Sequence, residues 1–223
     1  MTFITDSIWE RILLPARWVF FTIIFLGASL HPIEALRNPF TVIVLGLVLV
    51  WRTYEHVSVG MKSYRFFKDP GKHTMVLPAL SLWIGCALPI FDYYNLSPTL
   101  SRQVWVRILG VALLLLGILI RVISIRTLGR FFTAHLRVNE GRRLIQQGIY
   151  KHLRHPSYFG LIFSFLGLPL SFCSLYGLLY MILIGIPSLV FRINIEERFL
   201  VEEFGAEYLE YRKHSYKFIP FFF

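Results

Sequence analysis

The chain has 223 residues, of which 56% are hydrophobic and 16% are charged, and its formal net charge is +10. A soluble domain carries roughly 25% charged residues, so this chain has too few charges to cover a soluble surface, and membrane burial is the simple explanation. The basic residues lie in loops between apolar stretches, which is typical of membrane topology and not of nucleic-acid binding. We therefore expect membrane lipids, and no nucleic acid, as partners.

Six apolar segments approach the roughly 20 residues that a helix needs to cross a bilayer. The second and fifth are short, and the few residues at 172–174 that separate the last two predict a tight helical hairpin. We therefore predict an all-α polytopic membrane bundle that forms one domain over 1–223, with N-terminal helices in 1–120 and the polar motifs in 121–223. The predicted spans are 12–30, 39–54, 74–92, 103–125, 157–171 and 175–194.

Lysine and arginine residues are distributed unevenly between the two sides of this six-span arrangement. Twenty of them fall on one side, and three, Arg37, Arg102 and Arg107, fall on the other. The positive-inside rule then predicts that both termini and every large polar segment face the cytosol. Chemistry on a soluble cofactor is expected on that side. The two cysteines, Cys86 and Cys173, lie in apolar surroundings and are predicted to be buried small side chains, with no disulfide or metal site.

The first polar constellation precedes the fifth predicted span, in the sequence RHPSYFG at 154–160. Pro156 suits the first helical position, where a missing N–H does no harm, so His155 is predicted to be the N-cap. A helix N-terminus attracts anions, and with Arg154, His155 and Tyr158 around it this one is suited to a carboxylate or phosphate. The alternative is an interfacial anchor, in which Arg154 contacts lipid phosphate and Tyr158 belongs to the aromatic belt.

The second constellation is Arg192, Glu196 and Glu197, at the end of the sixth predicted span. Acidic residues in or beside an apolar helix are costly unless they are paired or lie in a polar cavity. Arg192 and Glu196 are four residues apart and can form a helix-end ion pair. The alternative is that one carboxylate faces the loop at 128–150, which is rich in hydrogen-bond donors. There the carboxylate holds Arg154 in place or meets a cationic ligand.

Two other features are interpreted as structural. Arg121 and Arg126, near the end of the fourth predicted span, are predicted to extend to the membrane interface as snorkelling side chains. The tail at 204–213 is predicted to form a short helix behind a glycine turn, with aromatic and charged residues suited to the membrane surface. We expect a scaffold role for this tail.

At these residues the chain resembles the isoprenylcysteine carboxyl methyltransferase family. The RHPSYFG stretch at 154–160 is similar to the family's RHPxYxG signature, and Glu196-Glu197 followed by FGAEYLEY at 204–211 is similar to its second block. The segment HLRVNE at 135–140 resembles the family's upstream cofactor loop. The resemblance covers about half of the chain, and the two blocks together are more specific than either alone.

The resemblance implies S-adenosyl-L-methionine as the methyl donor, bound in a cytosol-facing pocket made by the last helices and the loop before them. It also implies a lipid-like or prenylated small acceptor, with a prenylcysteine-type carboxylate as the first choice, and a methyltransferase core in 121–223. Such a carboxylate is already ionised near neutral pH, so catalysis depends on alignment and exclusion of water. Carried over residue by residue, the resemblance implies that Arg192 and Glu196 lie at the catalytic junction and that the cofactor-binding residues are His135, Tyr150, Arg154, His155, Tyr158 and Glu197.

Three alternatives remain open at this point. Phospholipid N-methyltransferases and membrane thiol methyltransferases share an RHPxY-like block, and their acceptors would need a base, for which Glu196 or His135 could serve. Membrane sterol reductases end in a similar block and bind NADPH, but they are usually much longer. A non-catalytic membrane protein that keeps the fold is the third alternative.

Overall fold

The structure, a computed structural model, is an all-α bundle, as predicted. Within the described part of the chain, the one isolated β-bridge joins Leu153 to Tyr216. The predicted span 12–30 and His135 lie outside that part. The described residues are 31–59, 76–96, 100, 103–132 and 143–217.

The described residues form eight α-helices, which we number in chain order. Single 3-10 turns follow the fourth helix and precede the fifth. The helices are α1 (Pro32–Arg37), α2 (Pro39–Val59), α3 (Val76–Asn95), α4 (Val104–Leu128), α5 (Pro156–Ser171), α6 (Leu175–Tyr180), α7 (Ile186–Phe204) and α8 (Ala206–Lys213).

Three apolar elements among the described residues are long enough to cross a membrane. They are Leu77–Asn95, Val104–Leu128 and Leu175–Phe204, and the last is continuous because a π-helical turn at Met181–Gly185 joins α6 to α7. Helix α5 is apolar but has 16 residues, about 24 Å at 1.5 Å per residue, which is less than the roughly 30 Å of a hydrocarbon core. Helix α5 forms the predicted tight hairpin with α6. The predicted total of six spans stays a prediction.

Helices α4 and α5 pack against each other through small residues. A Cβ atom added at Gly117 would lie 2.5 Å from the carbonyl oxygen of Gly160, and one added at Gly167 would lie 2.4 Å from the backbone nitrogen of Leu114. Glycine is required at such close approaches, and small residues are the usual means by which helices associate in lipid. This packing places the last turns of α4 beside the first turn of α5, where the RHPSYFG motif begins.

We expect Gly117→Ala to destabilise the protein by about 1–3 kcal/mol, because the added methyl group forces α4 and α5 apart. The midpoint of thermal unfolding in detergent measures this effect. Gly46→Ala on α2 is the matched control, since a Cβ atom added there meets nothing within 4 Å, and its midpoint should not fall. Equal midpoints for the two variants would contradict the close packing of α4 and α5.

Arg107 joins three helices at one end of the bundle. Its guanidinium carbon lies 5.2 Å from the ring centroids of both Phe40 and Tyr93, and Nη2 donates to the Tyr93 hydroxyl at 2.9 Å. These contacts are cation–π interactions and a hydrogen bond, and they fix the starts of α2 and α4 against the end of α3. The opposite end, formed by the C-terminal parts of α2, α4 and α7 and the first turn of α5, is called the basic end below.

Candidate active site

The RHPSYFG motif forms the start of α5 as predicted. His155 is the N-cap residue, and Pro156 occupies the first position of the helix. The backbone N–H groups of Arg154 and His155 donate to the carbonyl oxygens of Tyr216 at 2.8 Å and Lys217 at 3.1 Å. The segment that follows α8 therefore holds the backbone of the motif in place.

The carboxylate of Glu197 is the centre of a buried ionic cluster. Arg154 Nε donates to Glu197 Oε1 at 2.8 Å, and His155 Nε2 lies 3.4 Å from the same oxygen. Arg212 Nε lies 3.9 Å from Oε2. Glu197 is 7% exposed and His155 is 3% exposed, so the contacts of Glu197 with Arg154 and His155 lie largely outside water and are strengthened by the low local dielectric. The Arg212 side chain is exposed. The start of α5 and the end of α7 meet through this cluster.

The neighbouring carboxylate, Glu196, faces different surroundings. The Tyr158 hydroxyl donates to Glu196 Oε2 at 2.7 Å, and Tyr158 packs against the buried apolar core. Arg192, one turn earlier on α7, is 1% exposed and interacts electrostatically with Tyr158. The residues that the resemblance assigns to catalysis thus lie with Tyr158 on the apolar side of the cluster.

Tyr150 lies in the 3-10 turn before α5, close to the same residues. Its side chain is buried, its hydroxyl interacts electrostatically with Glu196 and Arg121, and burial raises its pKa above the ordinary value for tyrosine. The phenol therefore stays neutral and can donate a hydrogen bond throughout the physiological pH range. Of the predicted site residues that the structure describes, all seven come together at the basic end, while His135 lies outside the described residues.

Helix α8 confirms the predicted helix behind a glycine turn, with Gly205 at a φ of 52°. Tyr208 donates to Glu197 Oε1 at 3.3 Å, and Tyr211 donates to the carbonyl oxygen of Tyr150 at 2.5 Å. Burial raises the pKa of both phenols, that of Tyr211 to about 12, so both act as neutral donors. The tail therefore stabilises the site through hydrogen bonds to Glu197 and to the backbone of Tyr150.

A cavity of about 480 Å³ opens beside Glu197, a size within the roughly 300–1,000 Å³ of small-molecule sites. Side chains of both charge signs line it. Sequence reasoning missed most of them because they belong to no motif, although Asn194, Arg198 and Val201 share a face of α7 with Glu197 by helical spacing. The lining residues are Asn194, Glu197, Arg198, Val201, Glu202, Arg212 and Lys217.

The two arginines near the end of α4 behave differently from each other. Arg126 is exposed, as expected for a snorkelling side chain, and its guanidinium lies 5.9 Å from the Tyr54 ring centroid. The prediction that Arg121 extends to the membrane interface is wrong. Its guanidinium is paired inside the bundle with Glu55 and Ser157, because a buried carboxylate on α2 lies within its reach.

Comparisons with known proteins identify the family. The profile of the phospholipid methyltransferase family matches residues 105–207. The protein-S-isoprenylcysteine O-methyltransferase A of Arabidopsis thaliana is 33% identical over 143 residues, which are 62% of this chain and 73% of the relative. The chain belongs to the isoprenylcysteine carboxyl methyltransferase family. The predicted resemblance is thereby confirmed, and the protein is an integral membrane methyltransferase.

Two further similarities cover nearly the whole length of this chain. The protein-S-isoprenylcysteine O-methyltransferase of Xenopus laevis is 27% identical over 98% of this chain and 67% of the relative. A solved structure of a eukaryotic intramembrane Ras methyltransferase, an isoprenylcysteine carboxyl methyltransferase, superposes with a TM-score of 0.60 and 21% identity, covering 99% of this chain and 87% of the other. The second similarity shows a shared membrane fold.

Proposed function

We propose that this methyltransferase transfers the methyl group of S-adenosyl-L-methionine to the carboxylate of a prenylcysteine-type acceptor in the membrane. The observation that carries the proposal is the contrast between two consecutive residues of α7. Glu197 borders the polar cavity with its basic neighbours, and Glu196 accepts a hydrogen bond from Tyr158, which packs against the apolar core. This contrast supports a junction that a charged, water-soluble donor and a lipid-like acceptor approach from different sides.

The residues around the cavity fit the charges of the proposed donor, which has a carboxylate, an ammonium group and a sulfonium. Arg198, Arg212 and Lys217 offer cations to the carboxylate, and Glu197 and Glu202 offer negative charge to the cationic groups. When bound, the donor supplies an electrophilic methyl group. The residues proposed to hold it remain His135, Tyr150, Arg154, His155, Tyr158 and Glu197. Of these, Glu197 lines the cavity, and Arg154 and His155 lie behind it through their contacts with Glu197.

The side chains on the apolar side are suited to a carboxylate acceptor. Arg192 is buried and positively charged, so it attracts an incoming carboxylate. The hydrogen bond between Tyr158 and Glu196 fixes the neighbouring side chains, and alignment of reacting groups is the main requirement of a displacement that needs no strong base. We propose Arg192 and Glu196 as the catalytic pair on these grounds.

The distribution of charge supports a cytosolic position for this site. In the sequence, the long polar segments that follow α2 and α4 and the tail after α7 hold most of the lysines and arginines, and such segments remain on the cytosolic side of membranes. We therefore propose that both termini and the donor cavity face the cytosol.

An assay with three acceptors tests the proposed function. Purified protein with radiolabelled donor should methylate a farnesylated cysteine derivative at least about tenfold faster than phosphatidylethanolamine or a small thiol, because a site built for one polar group discriminates strongly against others. The product should release its label in mild alkali, as a methyl ester does. Label that resists alkali, or transfer to phosphatidylethanolamine alone, would contradict a carboxylate acceptor.

A further inference from the structure

Glu55 is a buried carboxylate on α2, in the half of the chain that carries no family motif. The residue is 2% exposed. Its two oxygens accept hydrogen bonds from two different arginines, Arg52 on the same helix and Arg121 on α4. A buried carboxylate is costly unless it is paired, so Glu55 must keep these contacts. Because one arginine lies on α2 and the other on α4, both helices hold Glu55 in place.

Arg121 carries this contact onward to α5. Its Nη1 atom donates to Ser157 Oγ at 2.6 Å and to the carbonyl oxygen of Ser157 at 3.2 Å. Ser157 lies in the first turn of α5, directly before Tyr158 and two residues after His155. One guanidinium group thus connects α2, α4 and α5 at the basic end, next to the residues of the candidate active site.

We propose that Glu55 is a positioning residue for methyl transfer, which orients Arg121 and through it sets the first turn of α5. Because the guanidinium is a rigid planar fork, the carboxylate that binds one edge fixes the direction of the other edge, which holds Ser157. The contact between Tyr158 and Glu196 depends on that turn. A misplacement of about 1 Å can cost roughly 10²-fold in rate, so a remote carboxylate can control catalysis. This role rests on the proposed function.

A purely structural role for the same ion pair makes a different prediction. Replacing a buried ion pair by uncharged residues of similar volume is often neutral or stabilising, whereas removing one partner is strongly destabilising. The double substitution Glu55→Gln with Arg121→Met removes both charges and also the hydrogen bonds to Ser157. If the pair merely compensates charge, the double variant should be as active as the wild type. If it positions α5, the double variant should be stable but slow.

The test measures kcat with a farnesylated cysteine derivative, the affinity for S-adenosylhomocysteine and the midpoint of thermal unfolding. We expect kcat at saturating donor to fall at least about tenfold in Glu55→Gln and in the double variant, while the double variant regains thermal stability. The measured affinity sets the donor concentration that saturates each variant. Arg126→Met is the matched control, since Arg126 joins the same two helices through Tyr54 at an exposed position, and its kcat should not change. A double variant with wild-type kcat would overturn the positioning role.

A second readout needs no methyl transfer. With 3-fluorotyrosine at position 158, the fluorine resonance should shift or broaden in Glu55→Gln and stay unchanged in Arg126→Met, because the first turn of α5 moves in the former alone. An unchanged resonance in Glu55→Gln would overturn the inference. A wild-type protein that methylates no prenylcysteine derivative would instead count against the proposed function, so the two failures can be told apart.

Discussion

Replacing Glu197 by glutamine is expected to weaken the binding of S-adenosylhomocysteine by about 30-fold or more. The carboxylate accepts from Arg154 at 2.8 Å and lies beside His155 and the donor cavity. Glu197 is proposed to face the cationic groups of the donor, and losing one partner of a buried charge pair across a binding interface costs about 2–5 kcal/mol. Each 1.4 kcal/mol is a factor of about ten in affinity. Calorimetric titration of purified protein in detergent measures the change.

This substitution should lower thermal stability, because it removes the buried partner of Arg154, but the fold should survive it. Arg154 keeps two contacts that do not involve Glu197, since its Nη1 donates to the carbonyl oxygens of Arg212 and Ser215. Glu207→Gln, at an exposed position on α8, is the matched control and should bind with wild-type affinity. Arg154→Lys should resemble Glu197→Gln, because lysine keeps the charge but lacks the planar fork. Wild-type affinity in both Glu197→Gln and Arg154→Lys would refute the proposed donor site.

Replacing Glu196 by glutamine is expected to lower kcat by about 10- to 100-fold and to leave donor affinity within about twofold of the wild type. Glu196 accepts a hydrogen bond from Tyr158, which packs against the apolar core, so its charge acts where the acceptor is proposed to lie, and loss of alignment there affects the rate of transfer. Single-turnover rates with a farnesylated cysteine derivative measure kcat, and titration with S-adenosylhomocysteine measures affinity. Glu203→Gln, which lies further along α7, is the control.

The pH dependence of this variant separates positioning from proton transfer. A prenylcysteine carboxylate is ionised at any pH well above about 4, so no base is required, and the reduction in kcat should be the same from about pH 6 to pH 8. A wild-type rate that rises with pH, together with loss of that rise in Glu196→Gln, would assign Glu196 as a base. That result would favour an amine or thiol acceptor, as in the phospholipid and thiol methyltransferases.

The core of the candidate site lies within the part of the chain that the family profile matches. The phospholipid methyltransferase profile matches residues 105–207, a range that contains α4, α5 and α7 with the basic end between them. Helix α7 carries Glu197, and Arg154 lies directly before α5 within the same range. Helix α2 lies outside the matched range, yet Glu55 reaches into this end from it. Differences in the N-terminal helices can therefore alter the site without changing its motifs.

Much of the architecture could be predicted because it depends on local patterns. Apolar length predicted Val104–Leu128 and the long element that includes α7, the proline of RHPSYFG predicted the start of α5, and Gly205 predicted the turn before α8. Burial of Cys86 and Cys173 also followed from their apolar neighbours. Each of these features is decided by residues within a few turns of one another.

The sequence by itself determined an all-α membrane protein and the two blocks that could form a site. Tertiary structure alone decided which partners each charge meets: Glu197 joins Arg154, Glu196 joins Tyr158, and Arg121 turns inward to Glu55. The reason is that a charged side chain near a membrane interface can reach water, lipid phosphate or an opposite charge at similar cost. Which of these it reaches depends on packing between helices that are distant in sequence, here on the glycine contacts of α4 and α5. The local sequence does not specify how close two such helices come.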